Sequence, residues 1–197
     1  YDQGFQGPQS SFRGLNEICS MSGASGFLLQ ENNDAKKVVV SEMSKPGFRF
    51  IALSQRMAND EVSETEIISA APDNSVIQFV QGNDATIVCF GYSLVHGKSL
   101  ISAIRDLGRT ASLFTVNYVR DANWSIAVLE ASKNKKLVII DDTRGPTSLA
   151  FRFLADVLEF DKNVVFTIVR NREDLSTTVS DEKFDFKSEE VVAQVFG

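Results

Sequence analysis

Along the second half of the chain, continuous apolar runs alternate with segments whose apolar residues recur every third or fourth position. ATIVCF (85–90), SLFTVNYV (112–119), KLVIID (136–141) and NVVFTIV (163–169) are the runs, short enough for strands and apolar enough to be buried on both faces. Between them lie KSLISAIRDLG, ending at Gly108, and ANWSIAVLEAS (122–132), with Trp124, Ala127, Val128 and Ala131 at helical spacing. PTSLAFRFLADVLEF (146–160) follows the same pattern, with Pro146 placed for a first helical turn. Strand and helix in alternation, joined by short links, predict an α/β fold with a parallel sheet flanked by helices.

The first half has a different rhythm. Residues 1–25 are rich in Gly, Ser and Gln and read as an irregular arm. From 26 to 83, β-prone runs (GFLLQ, KKVVVSE, FRFIALS, EIISA, SVIQFVQ) alternate with polar or turn-forming stretches such as ENNDA, SKPG and APDN. The expected organisation is thus an arm (1–25), a β-rich N-terminal region (26–83) and an α/β core (84–197).

Composition narrows the function classes. With 197 residues, 43% hydrophobic and 23% charged, the chain has the make-up of an ordinary globular domain and can bury a substantial core. No apolar run approaches the roughly 20 residues that cross a bilayer, and no leader pattern opens the chain, so neither a membrane nor a secreted protein is expected. The first residue is Tyr1, which reads as a processed, trimmed or partial product. Cys19 and Cys89 lack C-x-x-C spacing and His96 is the sole histidine, which argues against a disulfide framework or a zinc site. A net charge of -6 argues against a broad nucleic-acid-coating surface but leaves room for a few residues gripping a strand in a channel.

Ligands of parallel α/β sheets bind at the carboxyl ends of the strands, which directs attention to residues 91–99, 120–123, 141–145 and 170–174. The first of these, GYSLVHGKS (91–99), ends like a phosphate-binding loop, with five residues between Gly91 and Gly97 where the usual pattern has four. In that reading backbone amides and a helix N-terminus cradle phosphate, Lys98 reaches the β- and γ-phosphates, and Ser99 completes a magnesium shell. A structural turn is the alternative, favoured by bulky Tyr92, Leu94, Val95 and His96 where small residues are usual. Asp141, ending KLVIID, could hold magnesium, or Asp141 or Asp142 could cap the next helix. Asp121 could polarise an attacking water or simply be an N-cap, and Glu130 is a less well placed acid. Asn171 could sense a γ-phosphate, with Arg170 or Arg172 offering charge to a neighbouring site, unless the segment is a surface turn. His96 is read as shaping the loop or touching phosphate, with a structural role as the alternative.

With GKS, Asp121, LVIID and VVFTIVRN in this order, residues 84–175 resemble the RecA-like P-loop NTPases, most of all the hexameric RNA-packaging motors of double-stranded RNA bacteriophages. The resemblance implies nucleotide binding by Gly91, His96, Gly97, Lys98, Ser99 and Leu100, magnesium on Ser99 and Asp141, Asp121 as catalytic acid and Asn171 as γ-phosphate sensor. It implies ATP or another NTP as substrate with Mg2+, a homo-oligomeric ring, most simply a hexamer, around single-stranded RNA, association with a viral capsid or polymerase complex, and location in a virion or host cytoplasm if viral and otherwise in the cytoplasm. Arg144, Arg170 and Arg172 are the arginine-finger candidates, and Lys183 is a candidate RNA contact. A secretion or pilus-type ATPase, or a noncatalytic scaffold with a degenerate loop, are the alternatives.

Overall fold

A computed structural model describes residues 15–53, 65–120, 122–142, 149–170 and 186–197. The four apolar runs form strands β5 (Ala85–Phe90), β6 (Ala111–Val116), β7 (Lys136–Asp141) and β8 (Val165–Arg170). Helices α3 (Leu94–Asp106), α4 (Ser125–Asn134) and α5 (Leu149–Phe160) connect them, and α6 (Ser188–Phe196) follows. β6, β5, β7 and β8 lie side by side and parallel. A short β3 (Ser69–Ala70) and β4 (Val76–Val80) extend the sheet beyond β6 in antiparallel pairing, giving six strands in the order β3-β4-β6-β5-β7-β8. The expected α/β architecture is present, a mostly parallel sheet flanked by helices.

Because β5 continues to β6 on one side and β7 lies on its other side, successive crossovers fall on opposite faces. One face is covered by α3 and α6, where Leu100, Ile104 and Val191 meet Ile87, Leu113 and Ile140. α4 and α5 cover the other, where Phe153 lies with its ring centroid 5.8 Å from that of Phe90 and 5.7 Å from that of Trp124. Every residue of β5 and β6 is buried, as continuous apolar runs require of central parallel strands.

The N-terminal region corrects two local expectations. KKVVVSE is not a strand; it lies in helix α2 (Asn32–Met43), between β1 (Ser25–Leu29) and β2 (Arg49–Leu53), which pair in parallel. Asp34, Val38 and Glu42 are the buried residues of α2, one helical turn apart, and the Glu31 amide donates to Asp34 Oδ1 at 3.0 Å to start the helix. This one-sided burial overrides the strand preference of three consecutive valines. Part of the expected irregular arm is also helical, α1 (Leu15–Ser22).

The β1-α2-β2 unit is not detached from the sheet. The chain beyond β6 bridges to β1: the Leu28 amide donates to the Asn117 carbonyl (2.7 Å), the Val119 amide to the Gly26 carbonyl (3.0 Å), and Phe27 stacks on Tyr118 at 4.9 Å. The unit thereby sits over the carboxyl end of the sheet.

Candidate functional site at the carboxyl edge of the sheet

The crevice expected in such a sheet opens where neighbouring strands send their connections to opposite faces, here between the ends of β5 and β7. Among the described residues, the turn after β5 lies in it. Gly91 turns sharply after β5 with φ +71, a left-handed conformation that glycine adopts without steric cost. The Ser93 hydroxyl lies 2.8 Å from the Phe90 carbonyl and 2.9 Å from the Ile140 carbonyl, spanning the gap between the two strands. The Tyr92 amide donates to Asp142 Oδ1 at 2.8 Å.

GYSLVHGKS does not build a phosphate loop. Only Gly91, Tyr92 and Ser93 form the turn, and α3 begins at Leu94, so Gly97, Lys98 and Ser99 are already helical. The amides that would face a phosphate are engaged: Leu94 donates to Gln30 Oε1 (2.9 Å), and His96 and Gly97 both donate to the Ser93 carbonyl (3.0 Å). Gly97 instead permits close approach of α3 to the sheet, since a Cβ there would stand 2.6 Å from Cys89 Sγ and 2.7 Å from Leu113 Cδ1. Leu100 is fully buried in the core below.

The remaining motif side chains each hold a neighbouring segment. Lys98 Nζ pairs with Glu31 Oε2 at 2.5 Å, and Glu31 is 1% exposed and also accepts from the Thr65 amide. Ser99 Oγ is 2.7 Å from Ser188 Oγ, and the His96 ring lies 5.0 Å from that of Phe186, so both dock the C-terminal segment onto α3. Asp141 is fully buried beside Arg170 of β8, at 3.5 Å, in the register that sets the two residues side by side. Arg170 also lies over the Phe151 ring at 4.8 Å. Glu130 belongs to the opposite end of the sheet, where it accepts from Ser112 and Gln81. Asp121, Asn171, Arg144, Arg172 and Lys183 lie outside the described residues. The structure therefore brings Lys98 into a cluster with Gln30, Glu31 and Asp34, residues that sequence reasoning did not single out; the pairing of an acid with the amide three residues before it was the available signal.

Asp34 is the electrostatic centre of that cluster. It is fully buried and accepts from the Gln30 amide (2.8 Å), the Glu31 amide (3.0 Å) and Asn117 Nδ2 (2.7 Å). Burial pushes its carboxyl up to about 6 against the pull of these donors, and the nearby Glu31 carboxylate adds to the rise. In the unfolded chain the group releases its proton near pH 4, before the folded chain does, so its contribution to stability falls as pH rises from about 4 to 6. The stability difference between the parent protein and Asp34→Asn, measured by urea unfolding, is expected to shrink across that window; a difference constant from pH 4 to pH 7 excludes this origin. The two cysteines, both buried with thiols pushed up by burial, Cys89 to about 12, are held as unreactive thiols at neutral pH. Among the described residues no group of three or more His, Cys, Asp or Glu side chains is arranged to hold a metal ion, and no helix is long and apolar enough to cross a membrane.

The fold, a mostly parallel sheet with an antiparallel hairpin at one edge and a β-α-β unit at its carboxyl end, is similar to that of solved transketolase chains. The chain is similar to a split-gene transketolase solved as an inactive β4 tetramer, with a TM-score of 0.59 and 13% identity over 87% of this chain and 56% of that one. It is also similar to a transketolase mutant of Pichia stipitis in complex with xylulose 5-phosphate (TM-score 0.53, 10% identity) and to the transketolase of Campylobacter jejuni (TM-score 0.50, 8% identity). Each of these last two matches covers 92% of this chain and 26% of the solved chain. The chain thus spans just over half of the first structure and about a quarter of the others. No protein-family model and no characterised protein sequence matches it.

These findings correct the RecA-like resemblance and the NTPase motor, helicase and RNA-packaging reading built on it. They equally correct the expectation of ATP or another NTP as substrate, since the similar folds are transketolases and the amides of the supposed phosphate loop are bonded within the protein. In the structure the GKS residues make packing contacts: Gly97 allows close approach to the sheet, Lys98 pairs with the buried Glu31 and Ser99 meets Ser188 of α6.

Proposed function

We propose that this chain is one part of a transketolase-type enzyme, which transfers a two-carbon ketol unit from a ketose phosphate such as xylulose 5-phosphate, and that it works with further polypeptide supplying the reacting groups. The observation that carries this reading is the likeness, over 87% of the chain, to a subunit of a transketolase encoded in pieces and described as inactive in that form. The described residues at the carboxyl edge support it as well. Gln30, Glu31, Lys98 and Ser93 are engaged with one another or with the backbone, Asp34 with backbone amides and Asn117, and Asp141 with Arg170, as suits a region that braces a reaction centre built elsewhere.

The purified chain alone is expected to consume no xylulose 5-phosphate and to hydrolyse no ATP, with or without RNA. The complex it forms in its source cells, isolated through a tag on this chain, is expected to transfer the ketol unit from xylulose 5-phosphate to an aldose phosphate. A purified complex with no such transfer would defeat the proposal, as would RNA-stimulated ATP hydrolysis by the chain alone.

A further inference from the structure

The β1-α2-β2 unit meets the rest of the chain across a joint in which two carboxylates are buried. Three backbone amides tie it: Leu28 to the Asn117 carbonyl (2.7 Å), Val119 to the Gly26 carbonyl (3.0 Å) and Leu94 to Gln30 Oε1 (2.9 Å). Two side-chain contacts lie in the joint itself, Asn117 Nδ2 on Asp34 Oδ2 at 2.7 Å and Lys98 Nζ on Glu31 Oε2 at 2.5 Å. Asn117 is held with its NH2 towards Asp34, because its Oδ1 accepts from the Thr115 hydroxyl at 2.6 Å.

The charges in the joint do not balance. Asp34 and Glu31 are 0% and 1% exposed and share the capping turn of α2, and among the described residues one cation, Lys98, pairs with them, through Glu31. Asp34 itself meets neutral donors, the Gln30 and Glu31 amides of its own unit and Asn117 from beyond β6, with the Glu31 carboxylate beside it. Two ionised carboxylates buried together repel, and one proton removes the excess charge. Parting the unit from Asn117 lets water reach Asp34 and ends the constraint, so the closed joint keeps a proton that the open joint releases.

We propose that this joint is a pH-sensitive clasp, set by Asp34, which closes the β1-α2-β2 unit most firmly in mild acid and opens more often as pH rises. The sign follows from proton linkage. Burial, and then the Glu31 carboxylate, hold the closed-state carboxyl at about 6 against its three donors, whereas hydration on opening returns it towards its ordinary 3.8. The contribution of Asp34 to closure is therefore complete below about pH 4 and is lost as pH rises through about 6. Sitting over the carboxyl end of the sheet, the unit is loosest at neutral pH and above. The clasp rests on hydrogen bonds and charge at the joint, independent of ketol transfer, and survives a failure of that reading.

Hydrogen exchange of the full chain, read amide by amide as protection factors at about pH 5 and about pH 7.5, tests the clasp. The Leu28 and Val119 amides are expected to lose protection by at least about threefold between the two. At the higher pH they are also expected to be less protected than Val88 and Ile139, paired in the central strands, because the joint opens while the sheet stays folded. In Asp34→Asn the pH dependence at Leu28 and Val119 is expected to vanish. A measurement free of substitutions accompanies this: the carbon-13 resonance of the Asp34 carboxyl in the parent chain is expected to titrate over the range in which protection falls. Unchanged protection between the two pH values overturns the proposal, as does protection at the joint equal to that of the central strands. A pH dependence that persists in Asp34→Asn, or an Asp34 carboxyl fully ionised at about pH 5, overturns it equally.

Discussion

Lys98→Ala is expected to lower the unfolding free energy by about 3 kcal/mol, because it strands a carboxylate in the interior. Glu31 is 1% exposed; its Oε2 is 2.5 Å from Lys98 Nζ, its Oε1 accepts from the Thr65 amide at 3.3 Å, and its side chain also accepts from the Asp34 amide in the capping box; neither amide replaces the cation. Truncating the lysine leaves that charge without its cation in a region already holding Asp34, which an isolated surface ion pair would not do. Glu31→Gln combined with Lys98→Ala is expected to recover more than half of the loss, since the double variant buries an amide and no charge. Chemical unfolding of the four proteins of this cycle checks the result. Equal stability of Lys98→Ala and the parent would show that the pair contributes nothing and that the β1-α2-β2 unit is held by its other contacts.

Gly97→Val is expected to cost about 3 kcal/mol through overpacking. The first carbon of any side chain at Gly97 falls 2.6 Å from Cys89 Sγ and 2.7 Å from Leu113 Cδ1, and both residues are fully buried in central strands. A valine adds two methyl groups to that collision, so α3 must move outward and loosen Leu100 and Ile104, which the same turns of helix press into the sheet. Thermal unfolding reads the effect, and Cys89→Ala in the Gly97→Val background relieves one of the two collisions and is expected to return part of the loss. Should Gly97→Val unfold at the parent temperature, the close approach of α3 is not what selects glycine there.

The same glycine shows where the sequence was legible and where it misled. Periodicity found the four parallel strands and their helices: KLVIID coincides with β7, and ATIVCF with β5, because burial on both faces leaves an unbroken apolar run. Pattern was less informative where one side chain had two possible physical uses. A glycine before lysine and serine at a strand-helix junction serves phosphate if the helix starts there, and packing if the helix has started three residues earlier, at Leu94. That difference of one turn depends on Gln30 accepting from the Leu94 amide across 64 positions of chain, which no local window contains. KKVVVSE was misread for a related reason: its three valines favour a strand, and the buried positions that make it a helix, Asp34 and Glu42, are acids that a hydrophobic pattern passes over.

Asp141 and Arg170 were both singled out, yet as partners of a metal and of a neighbouring subunit. The strand order could have joined them, since adjacent parallel strands in register place their last residues side by side, but it is not encoded in either strand alone.

The C-terminal helix has a consequence for how the chain reaches this state. α6 closes the face of the sheet covered by α3, with Val191 in the core, Ser188 on Ser99, and Phe196 under the side chains of Arg109 and Lys136. During synthesis α3 emerges long before α6, so an apolar face waits open on the ribosome until residues 188–196 have been made. A growing chain is therefore most exposed to chaperones and to its neighbours on a polysome in that interval, before α6 arrives.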